Sequence, residues 1–306
     1  MREIGISSER TVSEFGMDAA YALYREAGFT GIDWNVDEAV DQAALSRGDY
    51  AAAHCIFEKP LEEVVAHFQP EYDAIRKSGL KVIQAHAPYP PHPYGPYDPS
   101  SLDHTIPILI NCVRFCHRMG VPRLVVHGAR GRYLTPEMTG FLNGKLYDAL
   151  AVAAQEGDTV ICLETLFYAD NRPSLMMDPA DAIETVDRLN DKVGGELFGI
   201  CLDTGHMNLV GADIPAYVRA VGGRIKALHL HDNDGTDDQH LAPYTGTVPW
   251  KATMEALRDA GYEGDVSFES YRQTILDRVD REMVLPWLKL VGACGAYFRD
   301  LLEKKA

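Results

Sequence analysis

The chain has 306 residues, 46% of them hydrophobic, which is enough to bury a sizeable core in one large α/β domain or two smaller ones. Its 29 basic and 45 acidic residues give a formal charge of −16, so a polyanion such as DNA is repelled on average. No apolar run approaches the roughly 18 residues of a membrane span, and Met1-Arg2-Glu3-Ile4-Gly5 enters a strand-like segment at once, so neither a span nor a signal peptide is expected.

In chain order, strands are expected near 2–6, 31–35, 81–86, 123–127, 159–164, 198–203, 226–231 and 265–269. Helical patterns fall between them, near 11–27, 60–78, 101–120, 142–157, 179–190, 213–221 and 250–260, and a last helix covers about 280–304. Gly28, Gly79, Gly120 and Gly157 stand where helices would stop. Eight βα units in a chain of this length predict an α/β fold, a single (β/α)8 TIM barrel. With no low-complexity stretch or linker, residues 1–306 read as one domain. The six cysteines show no zinc or redox pairing. Cys162 and Cys201 sit in apolar strands and Cys112 and Cys116 lie one helical turn apart, so buried free thiols in a reducing cytoplasm are expected.

Two stretches between elements stand out. Residues 87–100 are rich in proline and tyrosine, which suits either a lid at the strand ends or a rigid surface loop. Residues 232–249 carry the polar cluster Asp-Asn-Asp-Gly-Thr-Asp-Asp-Gln-His, for which a solvated turn is the bland alternative to a place in a functional site.

The chemistry gathers at the ends of the apolar runs. Glu164, Asp203, His229 and Glu269 each close one, where a parallel barrel keeps its active site. Three are carboxylates that burial would penalise without a partner, and a divalent metal supplies one. His86 and His127 end the third and fourth strands, His206 follows Asp203 by three residues, and Asp238 and His240 form an Asp-x-His pair. Imidazole and carboxylate oxygen together suit Mn²⁺, Zn²⁺, Co²⁺ or Fe²⁺. A lone strand-end histidine is more often hydrogen-bonded structure than ligand, which tempers His86 and His127. His231 also ends the seventh strand, on the same side as His229 by alternation, and geometry alone does not choose between them. His54, His67, His92, His104 and His117 are given no role.

Leu-Glu-Thr around Glu164, Leu-Asp-Thr-Gly-His over 202–206, Leu-His-Leu-His-Asp-Asn-Asp-Gly over 228–235 and the run 238–250 give the chain its resemblance. It resembles the sugar phosphate isomerase/epimerase superfamily, the xylose-isomerase-like TIM barrels, which include ketose 3-epimerases and endonuclease IV. The resemblance implies that Glu164, Asp203, His229 and Glu269 hold one metal, with the first histidine of the pair as ligand. It implies that the residue matching His206 contacts substrate and that Glu164 and Glu269 exchange protons with it. In endonuclease IV nine residues hold three zinc ions, and His86, His127, Glu164, Asp203, His206, His229, Asp238, His240 and Glu269 match them. Epimerases of free ketoses often carry an arginine six residues after the metal histidine; Gly235 stands there. Arg130 and Arg132 are the nearest basic candidates for a phosphate or carboxylate.

The expected enzyme is thus a metal-dependent isomerase or epimerase of a sugar or sugar derivative. A carboxylate removes a proton beside a carbonyl and the metal stabilises the enediolate. His86, His127, His206 and Arg130 are expected to bind the carbohydrate. The alternatives are an endonuclease IV-like trinuclear zinc phosphodiesterase acting on abasic DNA, and a lyase or dehydratase on a keto-sugar or keto-inositol. The expected partners are a small carbohydrate and further copies of the chain, not nucleic acid: 87–100 and 232–249 contain no lysine or arginine.

Overall fold

Short apolar runs become strands because β-branched and aliphatic side chains pack well on a pleated surface. A computed structural model describes residues 1–8, 11–36, 44, 49, 54–88, 101–169, 172, 174–270 and 280–304. Its strands are β1 (Ile4–Ser7), β2 (Gly31–Asn35), β3 (Lys81–His86), β4 (Arg123–Val126), β5 (Val160–Glu164), β6 (Phe198–Asp203), β7 (Ile225–His229) and β8 (Val266–Phe268). They form one sheet in the order β7-β6-β5-β4-β3-β2-β1-β8. Pairing is parallel for β1 with β2 and β8, for β3 with β4, for β4 with β5 and for β6 with β7. A parallel bridge from Leu230 to Phe268 joins the two end strands of that order. Eight parallel strands joined through helices make this the (β/α)8 TIM barrel that the sequence predicts.

The chain gathers into two compact units. One comprises Met1–Trp34, Glu71–Gln84 and Ile200–Ala306; the other comprises Asn35–Pro70 and Ala85–Gly199. In the first, Trp34, Phe268, Trp250 and Phe298 are fully buried, and Phe298 lies 5.1 Å from Trp250 and 6.0 Å from Phe268 between ring centroids. In the second, Phe57, Phe68 and Phe115 pack within 5.0–5.8 Å of one another. Val125 and Val126 of β4 and Ile161, Cys162 and Leu163 of β5 are themselves fully buried.

The elements differ from expectation at particular residues. The helix expected over 11–27 is two, Thr11–Phe15 and Met17–Glu26, because Gly16 sits at φ 78, outside helical backbone. The helix expected from 142 begins at Pro136, with the Thr135 side chain accepting the Met138 N–H and proline at the first turn. A short helix, Thr204–Leu209, follows β6 directly. Gly28, Gly79 and Gly120 do adopt positive φ after their helices, while Gly157 instead leaves room for the His117 ring. All six cysteines are free and buried. Among the described residues no helix is long and apolar enough to cross a membrane.

Candidate metal centre

Parallel strands deliver their last residues to one end, and in the second unit they deliver two imidazoles to one carboxylate. His86 ends β3, Glu164 ends β5 and His127 follows β4. His127 Nε2 lies 2.9 Å from Glu164 Oε2, and His86 Nε2 lies 3.4 Å from the same oxygen. His86 Nδ1 is 2.8 Å from the Ala87 carbonyl. A carbonyl only accepts, so Nδ1 carries the hydrogen and the Nε2 lone pair of a neutral ring faces the carboxylate. Burial pushes His127 down to about 4, and His86 and Arg130 push the same way against Glu164. Arg130 is itself buried. It donates to the Phe167 carbonyl, and its guanidinium lies 5.7 Å over the Phe167 ring.

In the first unit the strand-end set is richer in acid. Asp203 ends β6 and caps the helix Thr204–Leu209, its Oδ1 accepting the His206 N–H at 2.7 Å. His231 Nε2 lies 3.0 Å from Asp203 Oδ2, and His206 Nδ1 lies 3.6 Å from that oxygen. Asp238 Oδ2 stands between His206 Nε2 at 3.5 Å and His240 Nε2 at 3.3 Å. The His231 and His240 rings stack at 4.0 Å, 7° from parallel. Potential ligand atoms of Asp203, His206 and His231 fall within 4.8 Å of one another, as do those of His231, His240 and Glu269.

The His240 tautomer repeats that of His86. Its Nδ1 donates to the Glu269 carbonyl at 2.8 Å, so the Nε2 lone pair of a neutral ring faces Asp238. Burial pulls His240 down, but Asp238 outweighs it, with Glu269 and Asp203 adding, and the imidazole is pushed up to about 9. Burial likewise opposes ionisation of Asp238, yet His240 and His206 hold its carboxyl well below the ordinary range. Lone pairs aimed at carboxylates need a cation between them, a proton or a metal. Buried nitrogen and oxygen donors of this kind fit a divalent transition ion.

The two histidines of the His-Leu-His run part company. His229 Nε2 lies 3.0 Å from Asp33 Oδ2, and its Nδ1 lies 3.7 Å from Glu269 Oε1. The Asp33 carboxylate in turn accepts from Gln84 at 2.7 Å and Ser267 at 3.3 Å. His231 instead addresses Asp203, and it does so over Gly205, where any Cβ would stand 1.9 Å from its Cε1. The sequence reading preferred His229 as ligand, and both histidines stand against acids of the proposed set, His229 Nδ1 at Glu269 and His231 Nε2 at Asp203.

The 232–249 segment is not a solvated turn at its base. Asp232 is fully buried, and its two oxygens accept from the N–H groups of Asn233, Tyr244 and Val248 and from Trp250 Nε1, at 2.8–3.0 Å. That hub fixes the loop carrying Asp238 and His240, the latter at φ 48. Asp33 and Asp232 were both missed as organising residues, although an aspartate inside the apolar Gly-Ile-Asp-Trp run of β2 was a visible signal. Beyond Pro88 the 87–100 stretch lies outside the described residues, as does His92.

Comparison with known proteins places these residues in context. The family model for the xylose isomerase-like TIM barrel matches residues 21–289. The uncharacterized protein y4fM of Sinorhizobium fredii is 25% identical over 268 residues, 83% of this chain and 81% of its own length. A D-psicose 3-epimerase of Enterocloster bolteae is 30% identical over 122 residues, 40% of this chain and 37% of its own. A probable endonuclease 4 of Mesoplasma florum is 28% identical over 193 residues, 59% of this chain and 63% of its own. The matches to the epimerase and the endonuclease thus span less than two thirds of those proteins. Among solved structures, that of an L-ribulose 3-epimerase superposes with a TM-score of 0.66 at 19% identity, covering 99% of this chain and 96% of that one, a likeness of fold.

Proposed function

Because the chain belongs to the xylose isomerase-like TIM barrel family, we propose that it is a divalent-metal-dependent isomerase or epimerase of a sugar or sugar derivative, acting as a single domain over residues 1–306. The observation that carries the metal requirement is the paired tautomers. His86 and His240 each donate Nδ1–H to a backbone carbonyl and turn Nε2 toward a carboxylate. The ligand set proposed from the strand ends is Glu164, Asp203, Glu269 and one histidine of the pair, His229, whose Nδ1 faces Glu269, or His231, whose Nε2 faces Asp203. A bound divalent ion supplies Lewis acidity to a sugar carbonyl and its neighbouring hydroxyl.

The chain's own residues do the rest. Glu164 and Glu269 take and return the proton beside the carbonyl. His206, held by its N–H on Asp203, presents Nε2 beside Asp238 and is positioned to hold a substrate hydroxyl. His86, His127 and Arg130 are the proposed substrate contacts of the second unit. With the guanidinium turned to Phe167, Arg130 offers buried positive charge rather than an exposed clamp.

A second reading is supported by the same residues. His86, His127 and Glu164 cluster in one unit, and Asp203, His206, Asp238, His240 and Glu269 cluster in the other with both His229 and His231. That is the full complement for an endonuclease IV-like trinuclear zinc phosphodiesterase, and the resemblance to a probable endonuclease 4 points the same way. The formal charge of −16 opposes it, since DNA binding draws on several phosphate contacts from lysine or arginine. Metal content per chain after purification, read with identity, separates the two. One ion with ketose epimerisation supports the first reading. Three zinc ions with incision of an abasic duplex at low salt would replace it with the second.

A further inference from the structure

Asp33 is an acid inside an apolar strand. It stands between Ile32 and Trp34 in β2, is 1% exposed, and its Oδ1 meets no hydrogen-bond donor among the described residues. A buried carboxylate is costly unless charge or hydrogen bonds compensate it. Compensation gathers on the other oxygen, Oδ2. Gln84 donates to it from Nε2 at 2.7 Å, and Ser267 donates its hydroxyl at 3.3 Å. Gln84 Nε2 also lies 3.3 Å from the Leu228 carbonyl, which only accepts, so the amide has its NH₂ on this side. His229 Nε2 is the third group at Oδ2, at 3.0 Å, on a fully buried ring.

That contact decides which ring nitrogen carries the hydrogen. A nitrogen lone pair 3.0 Å from a buried carboxylate oxygen is repelled, whereas an N–H there is attracted, and burial strengthens both effects. A neutral imidazole has one ring hydrogen. With that hydrogen on Nε2, the lone pair is left on Nδ1, the nitrogen on the Glu269 side, 3.7 Å from Oε1. The longer distance lies outside hydrogen-bonding range, so Glu269 competes weakly for the hydrogen. His86 and His240 are the reverse, with Nδ1–H on a backbone carbonyl and Nε2 left bare. The difference traces to what stands behind each ring, a carbonyl beside Nδ1 or the Asp33 carboxylate beside Nε2.

We propose that Asp33 is a positioning residue of the metal centre. It holds the His229 hydrogen on Nε2 and makes Nδ1 the nitrogen that His229 offers to a cation shared with Glu269. The place of the hydrogen follows from the contacts alone; the role of Nδ1 rests on the metal-dependent reading above.

The test is long-range proton–nitrogen NMR on the full-length protein labelled with ¹⁵N-histidine, with His229→Gln assigning the His229 signals. In the metal-free protein at mildly alkaline pH, Nε2 is expected at the protonated position and Nδ1 at the bare one. With ¹¹³Cd²⁺ as the probe ion, scalar coupling to cadmium is expected on Nδ1. Asp33→Asn keeps the shape and removes the charge behind the ring. It should lower cadmium affinity about tenfold to a hundredfold and spread the hydrogen over both nitrogens, with the melting temperature confirming the fold. A merely structural Asp33 would move the melting temperature and leave the nitrogen signals where they are. Nδ1–H in the metal-free protein, cadmium coupling on Nε2, cadmium bound without coupling to His229, or unchanged affinity in Asp33→Asn would each overturn the proposal. Failure of the metal reading looks different: wild type takes up no cadmium while its metal-free spectrum still shows Nε2–H, which overturns the role of Nδ1 and confines Asp33 to holding the ring.

Discussion

At the ends of β3, β4 and β5 two imidazoles share one carboxylate, Glu164, whereas after β6, β7 and β8 three carboxylates, Asp203, Asp238 and Glu269, are interleaved with His206, His231 and His240. Both places are largely buried, Asp238 being the most open at 26%, and the balance of charge differs between them. In the first, burial prevails and His127 is driven down to about 4, so its ring is neutral and ready as a ligand at neutral pH. In the second, the acids prevail and His240 is driven up to about 9, so a proton occupies the space a metal would take. The acid-rich cluster is thus the better match for a dication and the place where metal uptake should release a proton. Breaking either cluster tests that contrast.

The largest effect is expected at Glu269, the acid that belongs to the richer cluster and is proposed to move protons. Glu269→Gln keeps the shape and one ligand oxygen but removes the base. Turnover of the identified substrate should fall by about 10³-fold, in the range of general-base contributions, while metal content falls far less. Near-normal turnover would remove Glu269 from the chemistry.

Next comes the loop that carries Asp238 and His240. Asp232 accepts four hydrogen bonds from buried or half-buried donors. Asp232→Asn leaves one acceptor oxygen and brings an NH₂ group against N–H groups. A loss of about 3 kcal/mol is expected, from charged hydrogen bonds broken and donors left unsatisfied, read as a lower denaturation midpoint with an unchanged slope. The Glu164 cluster should keep its geometry, which hydrogen–deuterium exchange across β3, β4 and β5 would show. A stability change below about 1 kcal/mol would mean the loop is held some other way.

These targets were unequally readable in the sequence. β5 and β6 are plain because each is an unbroken apolar run closed by an acid, and Glu164 and Asp203 came with them. The helix Pro136–Ala154 hides its first turns because Thr139, Asn143 and Tyr147 are buried alongside its leucines, so no polar stripe marks a face. Asp232 was read as part of a polar cluster because its four partners lie at 233–250 and meet it only once the chain folds back. Alternation puts His229 and His231 on one side, so strand geometry did not separate them and only the resemblance favoured His229. What separates them is Asp33, more than 190 residues earlier in sequence, which takes His229, and Gly205, which leaves the space His231 occupies.

That separation has a measurable form. His231→Ala should lower metal affinity about tenfold more than His229→Ala if the ligand is the histidine 3.0 Å from Asp203 and not the one whose Nδ1 lies 3.7 Å from Glu269. Metal retained after dialysis against a graded chelator series gives the ratio. The reverse order would return the ligand role to His229 and make His231 a stacking partner of His240.

The smallest effect is a pair of opposite pH slopes in the metal-free protein, and it isolates the contrast between the clusters. His127 has its folded value depressed from 6.5 to about 4. Its contribution is fully present above pH 6.5 and is lost as pH falls toward 4, because the unfolded chain binds that proton first. His240 has its folded value raised from 6.5 to about 9. Its contribution is fully present below pH 6.5 and is lost as pH rises through 9, because the folded chain must release a proton it was holding. One proton of difference is worth at most about 1.4 kcal/mol per pH unit. Urea denaturation of wild type, His127→Gln and His240→Gln across this range resolves each slope as a difference from wild type, which cancels the other titrating groups. His127→Gln should flatten the acid limb alone, and His240→Gln the alkaline limb alone. If both variants flatten the same limb, the two clusters share one charge balance and the contrast between them fails.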